Sequence, residues 1–130
     1  MTVKTYSIMQ MQDTVPFCAV PRAIIDSYPW DRTAYRPKAY AQMAYGPDCF
    51  YLGYEVVEKE LRIMERGISP DVYKDSAVEV FLMPAPQVDL RYINLEFNAV
   101  GAMYIGVGTG REDNILLRDE DIFQFDVHTQ

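Results

Sequence analysis

The chain has 130 residues, of which 49% are hydrophobic and 24% are charged, and its formal net charge is −7. This length and composition predict a single globular domain over residues 1–130 and exclude wholesale disorder. The negative charge, which no cluster of Lys or Arg offsets, argues against a nucleic-acid partner, and no run of about 18 apolar residues is present that could cross a membrane.

The N-terminal sequence MTVKTYSIMQMQ alternates polar and apolar residues and lacks the apolar stretch of a signal peptide. A cytoplasmic location is therefore expected unless a leader has been removed, and the compartment stays open. Cys18 and Cys49 stand alone, whereas a small secreted protein held by disulfides would carry more cysteines. We expect both thiols to be free and mostly buried, as free cysteines usually are.

Four strands are predicted in the first half of the chain, at residues 3–10, 17–20, 38–45 and 49–58. The second is short and lies between two prolines, which edge strands tolerate. The last two are joined by the Gly-Pro-Asp turn at residues 46–48 and are typical of a hairpin. Residues 22–30 form a short apolar piece that enters a loop.

Five more strands are predicted in the second half, at residues 76–83, 90–98, 102–107, 115–117 and 122–127. A turn at residues 99–101 makes a hairpin of the second and third of these. Residues 60–67 fit either a helical turn or a further strand. Roughly eight to ten short strands at spacings of about ten residues, without a long helical period, predict an all-β sandwich or barrel.

The strand YINLEFN at residues 92–98 carries an unusual set of polar residues on one side. Side chains alternate across a sheet, so one face of this strand is apolar and the other polar. The polar set is Tyr92, Asn94, Glu96 and Asn98. Amides donate and accept hydrogen bonds and a carboxylate accepts two, which suits the vicinal hydroxyls of a sugar. The alternatives are a solvated outer face or a buried polar network that holds loops.

A second candidate is the strand start DSAVE at residues 75–79. Glu79 is flanked by apolar residues and is expected on a half-buried surface, where it could accept hydrogen bonds from a ligand. Alternatively, Asp75 and Glu79 could supply oxygen ligands to calcium, or Glu79 could pair with a neighbouring arginine. Calcium is accordingly the one cofactor that the sequence suggests.

Two loop residues complete the candidate ligand set. Trp30, the single Trp, could stack on the apolar face of a pyranose, or it could plug the end of the fold. The GVGTGR segment at residues 106–111 lacks both the G-x-G-x-x-G spacing and the Gly-Lys-Ser/Thr of nucleotide loops. We therefore expect a loop or bulge that presents Arg111 and no phosphate site.

Patterns that would indicate catalysis are weak. His128 is the only histidine and lacks the sequence context of a catalytic triad, and no Cys/His cluster has zinc spacing. Glu79 and Glu96 could form a glycosidase pair, which requires two carboxylates at a defined separation. Because carboxylates are abundant and the sequence does not give their separation, we predict that the protein is not an enzyme.

The order of Trp30, DSAVEVFLMP, YINLEFNAVG and GVGTGRED resembles the family 9-like carbohydrate-binding modules, which are related to the sugar-binding modules of xylanases. Their hallmark is a D-S-x-V-E-x-F strand followed by a Y-x-N-x-E-F-N-x-x-G strand. The resemblance covers residues 25–113 and implies a β-sandwich of jelly-roll type, non-catalytic sugar binding and, in the xylanase-attached relatives, structural calcium. Those relatives clamp the sugar between two Trp residues, whereas this chain has Trp30 alone. The motif positions carried over are Asp75, Ser76, Glu79, Asn94, Glu96 and Asn98.

We therefore predict a non-catalytic carbohydrate-binding β-sandwich. The predicted ligand-binding residues are Trp30, Asn94, Glu96, Asn98 and Arg111. Comparable family members continue with further strands, so we also expect either truncation at the C-terminus or a homo-oligomer that pairs exposed sheet edges. The alternatives are a structural or assembly module without a sugar ligand and, third, a small hydrolase that uses Glu79 and Glu96.

Overall fold

The computed structural model describes residues 4–12, 16–29, 33–118 and 125–130 of the chain. Its strands are β1 Met9–Gln10, β2 Ala23–Ile25, β3 Lys38–Tyr45, β4 Phe50–Val57, β5 Ala77–Leu82, β6 Tyr92–Asn98, β7 Met103–Gly108 and β8 Ile115–Leu116. Two short 3₁₀ helices, Phe17–Ala19 and Val72–Lys74, are the helical elements of these ranges. Neither helix is long and apolar enough to cross a membrane.

The first compact unit, Met1–Lys59, is built on β3, which is paired along both edges. β4 runs antiparallel to β3 over its whole length, and the N–H of Gly46 donates to the carbonyl of Cys49 at 2.8 Å to close the turn between them. β2 and β1 share the opposite edge of β3, the former antiparallel and the latter parallel. β3 is therefore the central strand of this sheet.

The 3₁₀ helix Phe17–Ala19 packs on this first sheet through two features of the hairpin. The Gln42 side chain donates from Nε2 to the carbonyls of Val20 and Phe17. Gly53, the direct partner of Gln42 on β4, leaves room for the Phe17 ring, because a Cβ there would lie 2.6 Å from Phe17 Cε1. Val20 and Ala44 are buried in this unit.

The second compact unit, Glu60–Gln130, is an antiparallel meander in the order β5-β6-β7-β8. Leu95 on the central strand β6 pairs directly with Val80 on β5 and with Ile105 on β7. Leu95 and Ile105 are buried, so this face of β6 supplies the apolar core of the unit. The polar residues of β6 consequently lie on the opposite face of the same sheet.

The all-β class predicted from the sequence is confirmed, since the described ranges form two sheets with almost no helix, consistent with a β-sandwich. β3 spans the predicted residues 38–45, and β5, β6 and β7 lie within two residues of their predicted bounds. Both predicted hairpins are present. The jelly-roll connectivity and the single domain over residues 1–130 stay predictions.

Several local predictions in the first unit are wrong. Residues 17–20 form no edge strand, because Ala19 N–H donates to Pro16 O and Val20 N–H to Phe17 O, so the amides bond locally. Residues 23–25, predicted only as part of a short apolar piece that enters a loop, form a strand, because β3 pairs with them along its second edge. The thiols of Cys18 and Cys49 are exposed and not buried; Cys18 lies in the 3₁₀ helix Phe17–Ala19, and Cys49 lies in the turn before β4.

Three predicted segments differ in extent. Of residues 3–10, only Met9–Gln10 forms a strand among the described positions. Residues 60–67 adopt neither of the two predicted conformations and run as irregular backbone. Residues 125–127 lie outside any strand, and residues 122–124 fall outside the described ranges.

Candidate functional site

The register of the second sheet places polar and aromatic side chains side by side on one face. Directly opposed residues of an antiparallel pair share a face, so the partners of Asn94 and Glu96 on the neighbouring strands can be read from the pairing. Two rows result, and we call the six residues together the polar face: Glu79, Glu96 and Tyr104 in one row, and Phe81, Asn94 and Gly106 in the next.

Asn94 and Glu96 form a buried hydrogen-bonded pair at the centre of the polar face. Asn94 Nδ2 donates to Glu96 Oε1 at 3.0 Å, and each residue is only 8% exposed. Asn94 Oδ1 and Glu96 Oε2 are buried and have no hydrogen-bond partner among the described residues. An unpaired buried acceptor costs about 1–3 kcal/mol, so the fold keeps two acceptors in an unfavourable state that a ligand with donor groups would relieve.

The charge on Glu96 is disfavoured by its surroundings. Burial raises the pKa of Glu96, the hydrogen bond from Asn94 opposes this shift, and the negative charge of Glu79 adds to it, so the pKa lies above its ordinary value. Glu79 is exposed and sits directly across the strand pair from Glu96. Like charges in directly opposed positions disfavour each other across a sheet, in agreement with the contribution of Glu79 to the raised pKa of Glu96.

Tyr104 supports the pair from β7. Its hydroxyl donates to Asn114 Oδ1, and this hydrogen bond passes over Gly106, where a Cβ would clash with Asn114 and lie 2.5 Å from Tyr104 Oη. Burial raises the pKa of Tyr104, and the nearby charges of Glu96 and Tyr92 raise it further. Tyr104 is therefore a neutral phenol whose single proton is already donated, which leaves only its oxygen lone pairs for other partners.

An aromatic pair borders the buried acceptors. Phe81 is 55% exposed, and its ring centroid lies 5.5 Å from that of Tyr92 in an edge-on arrangement. Phe81 is the direct cross-strand neighbour of Asn94. An exposed ring held in place by a second ring offers a large apolar contact surface at little conformational cost.

Asp75, by contrast, has a structural role. Its carboxylate accepts the N–H groups of Met64 and Glu65 at 2.9–3.0 Å and the side-chain amide of Asn98 at 2.9 Å. Burial favours a raised pKa for Asp75, but the donors from Glu65, Asn98 and Met64 outweigh it, so the pKa lies below the ordinary value. Asp75 thus fixes the irregular segment ahead of β5.

Asn98 completes the same structural network. Beyond its bond to Asp75, Asn98 Nδ2 donates to Glu65 O at 3.1 Å, and Asn98 Oδ1 accepts the N–H groups of Val100 and Ala102 at 3.1 and 2.9 Å. Asn98 is 4% exposed and every polar group of its side chain is used. Asn98 closes the β6–β7 turn, and its side chain has no hydrogen-bonding group left for a ligand.

Ser76 adds a third anchor to this network. Ser76 Oγ accepts the N–H of Arg62 at 3.0 Å, while Ser76 N–H donates to Arg62 O at 2.9 Å. The Asp-Ser pair and the final Asn of the two sequence motifs therefore hold residues 62–65 against the sheet. Asp75, Ser76 and Asn98 of the two motifs are therefore structural. Asn94 and Glu96, in contrast, keep unused acceptors.

The predicted calcium ligands are Asp75 and Glu79. Calcium takes six to eight oxygen ligands, whereas the oxygens of Asp75 are engaged by N–H donors. No group of three His, Cys, Asp or Glu side chains suited to a metal ion occurs in the ranges that the structure describes. Asp75 does not fit a calcium site, and calcium binding at Glu79 stays a prediction.

Arg111, one of the two predicted loop ligands, lies between β7 and β8. Arg111 is exposed on a loop that Asp113 folds by accepting the N–H groups of Thr109 and Gly110. These bonds, led by that of the Thr109 hydroxyl, lower the pKa of Asp113. Trp30 falls outside the described residues. Of the predicted ligand residues, the structure therefore brings together Asn94 and Glu96.

Sequence reasoning missed Phe81, Tyr104 and Asn114 as members of the site. The alternation of β5 places Phe81 on the same face as Glu79, but it does not indicate that Phe81 is the cross-strand neighbour of Asn94. Tyr104 joins Glu96 through the register of the β6–β7 hairpin, which depends on the turn geometry. Asn114 arrives from the loop before β8, and no local pattern indicates its contact with Tyr104.

Comparison with known proteins agrees with the motifs. The family model described as carbohydrate-binding family 9 matches residues 6–125. No curated protein matches the chain. A protein from Bacteroides uniformis, named as a candidate for carbohydrate binding, has a crystal structure that superposes with a TM-score of 0.71 at 24% sequence identity, covering 87% of this chain and 56% of that protein.

This structural likeness shows a shared fold, and the chain spans little more than half of the Bacteroides protein. The family model covers most of the chain, including both sequence motifs and every residue of the polar face. The chain belongs to carbohydrate-binding family 9.

Proposed function

We propose that the protein is a non-catalytic carbohydrate-binding module whose saccharide lies on the polar face of the second sheet. The observation that carries this proposal is the pair of unpartnered, buried acceptors on Asn94 and Glu96 beside the exposed ring of Phe81. Membership of carbohydrate-binding family 9 supports it. Buried polar groups in folded proteins are usually hydrogen-bonded, so two unpaired acceptors side by side support a ligand at this position.

A sugar meets both requirements of this surface. Its hydroxyl groups donate to Glu96 Oε2 and Asn94 Oδ1, which relieves a desolvation cost that the folded protein already carries. The C–H face of its ring lies against Phe81, whose orientation Tyr92 restricts. Trp30 and Arg111 stay predicted contacts, whereas we assign Asn98 to the structural network.

Replacing Phe81 with alanine is expected to weaken saccharide binding by about tenfold, or ~1.4 kcal/mol, because the ring supplies the apolar contact surface. Its exposure means that the fold should tolerate the change. The measurement is isothermal titration calorimetry with a panel of neutral mono- and oligosaccharides. Phe50→Ala is the matched control, since Phe50 is 63% exposed and belongs to the other compact unit.

Unchanged affinity in Phe81→Ala, or an equal loss in Phe50→Ala, would refute this placement of the ligand. Absence of binding to every saccharide by the wild-type protein would refute the proposed function itself.

A hydrolase is the second candidate, and one observation favours it. Glu96 has a raised pKa and faces Glu79 across the strand pair, as a general acid and its partner carboxylate would. A glycosidase also needs both carboxylates to reach the scissile bond, and Glu96 is buried with one oxygen held by Asn94. We expect no turnover of chromogenic glycosides by the wild-type protein.

An assembly role is the third candidate. Phe50, Tyr51, Val56 and Val57 on β4 are all exposed, so this strand carries exposed hydrophobic side chains on both of its faces, and a second copy could cover them. Light scattering separates the readings: a stable dimer that ignores saccharides supports an assembly module, whereas a saccharide-binding species of any size supports the proposed function.

A further inference from the structure

The hydrogen-bonding groups at the centre of the polar face are almost all acceptors. Asn94 Nδ2 donates one of its two hydrogens to Glu96 Oε1, and Tyr104 donates its only hydroxyl proton to Asn114. What remains unpaired is Asn94 Oδ1 and Glu96 Oε2, both on side chains that are more than nine-tenths buried. A ligand at this position has to bring donors, and it finds few protein donors for its own lone pairs.

The charges on the polar face restrict the chemical class of the ligand further. Glu96 and Glu79 are directly opposed across the β5–β6 pair, so two carboxylates share this part of the face. An anionic sugar such as a uronic acid would meet like charge there. A neutral hydroxyl brings one donor together with lone pairs that need partners, whereas an ammonium group brings three donors, a positive charge and no lone pair.

We propose that the saccharide bound on the polar face is an amino sugar with a free, protonated amine, which donates to Glu96 Oε2 and Asn94 Oδ1 close to Glu79. This inference rests on the proposed carbohydrate-binding function and adds the chemical class of the sugar. The amine occupies the buried acceptors, and the sugar ring extends towards the exposed side of Phe81 on the neighbouring strand.

The test is calorimetric titration of the wild-type protein with glucosamine, galactosamine and their oligomers, alongside matched neutral and anionic sugars. The matched set is glucose, galactose, N-acetylglucosamine and glucuronic acid. N-acetylglucosamine is the sharpest comparison, because acetylation removes the charge and keeps the rest of the molecule. Each titration is repeated with a chelator and with added calcium, since carboxylate and amide oxygens also suit that cation.

We expect an amino sugar to bind at least about tenfold more tightly than its neutral parent and its acetylated form, with glucuronic acid weakest. The preference should fall with added salt and should vanish in Glu96→Gln and shrink in Glu79→Gln. Glu60→Gln is the control, because it removes one exposed carboxylate of the same unit outside the polar face and should keep the preference.

Equal or tighter binding of the neutral or acetylated sugars would overturn the amino-sugar inference and leave the proposed function standing. Absence of binding to every sugar would overturn both. Calcium binding that is abolished by Glu96→Gln, without any amino-sugar preference, would assign the acceptors to a cation and overturn the inference.

Discussion

Asn98→Ala is expected to destabilise the protein by about 3 kcal/mol, because four hydrogen bonds of a buried side chain are lost together. The substitution leaves the N–H groups of Val100 and Ala102 without their acceptor, and it removes a donor from the carboxylate of Asp75. Urea unfolding followed by circular dichroism measures the change as a shift of the midpoint.

Asn94→Ala is the matched control for this prediction, since it removes the same side chain four residues earlier on the same strand. Asn94 makes one side-chain hydrogen bond and carries one unpaired acceptor, so its loss should cost clearly less. If the two variants are equally destabilised, the division between a structural Asn98 and a ligand-facing Asn94 is wrong.

Asn98→Asp refines the same prediction through pH. Aspartate keeps the acceptors for Val100 and Ala102 but places a second carboxylate against Asp75. We expect this variant to be strongly destabilised near neutral pH and partly rescued in acid, where one of the two carboxylates is protonated. A variant that is equally destabilised at both pH values would show that charge at Asp75 does not matter.

Glu96→Gln is expected to stabilise the protein and, at the same time, to abolish the preference for amino sugars. The pKa of Glu96 is raised in the folded protein, chiefly by burial, so the protonated form is the one that the fold favours. Its contribution to stability is complete below the ordinary value of 4.5 and is lost as the pH rises through the folded value. Glutamine keeps the shape of the protonated form and removes the repulsion from Glu79.

Thermal unfolding over a range of pH checks this prediction. At neutral pH, Glu96→Gln should exceed the wild type in stability by about 1 kcal/mol, and the difference should disappear in acid. A variant that is less stable than the wild type at neutral pH would identify the Glu96 carboxylate as a structural group. Greater stability together with lost saccharide binding is typical of a residue kept for function.

Asp75 should show the reverse pH dependence. Its pKa is lowered in the folded protein, so its contribution to stability is present above the ordinary value of 3.8 and is lost as the pH falls through the folded value. Protonation of Asp75 therefore lowers the stability of the fold, whereas protonation of Glu96 raises it.

Much of the second sheet could be predicted from the sequence, because its strands alternate clearly between apolar and polar residues. The YINLEFN strand and its polar set follow from a period of two residues alone. The 3₁₀ helix at Phe17–Ala19 could not be foreseen in the same way, since Pro16 and Pro21 are compatible both with an edge strand and with a local turn.

The functional division of the polar set could not be predicted, because it depends on partners distant in the chain. Asn98 is structural on account of Asp75, 23 residues earlier, and of the backbone that follows it. Asn94 and Glu96 keep unused acceptors because their neighbours across the sheet are Phe81, Glu79 and Tyr104. Sequence order gives the alternation of a strand but not the hydrogen-bond partners that a register brings together.

The most direct test of the division within the polar set is a nuclear magnetic resonance titration that follows the side-chain amides of Asn94 and Asn98. The ligand is the saccharide that binds most tightly in calorimetry. The Asn94 amide is predicted to shift progressively and to saturate with the calorimetric affinity, while the Asn98 amide stays in place. A stationary Asn94 amide, or an Asn98 amide that shifts as much as that of Asn94, would contradict a binding site at the Asn94–Glu96 pair.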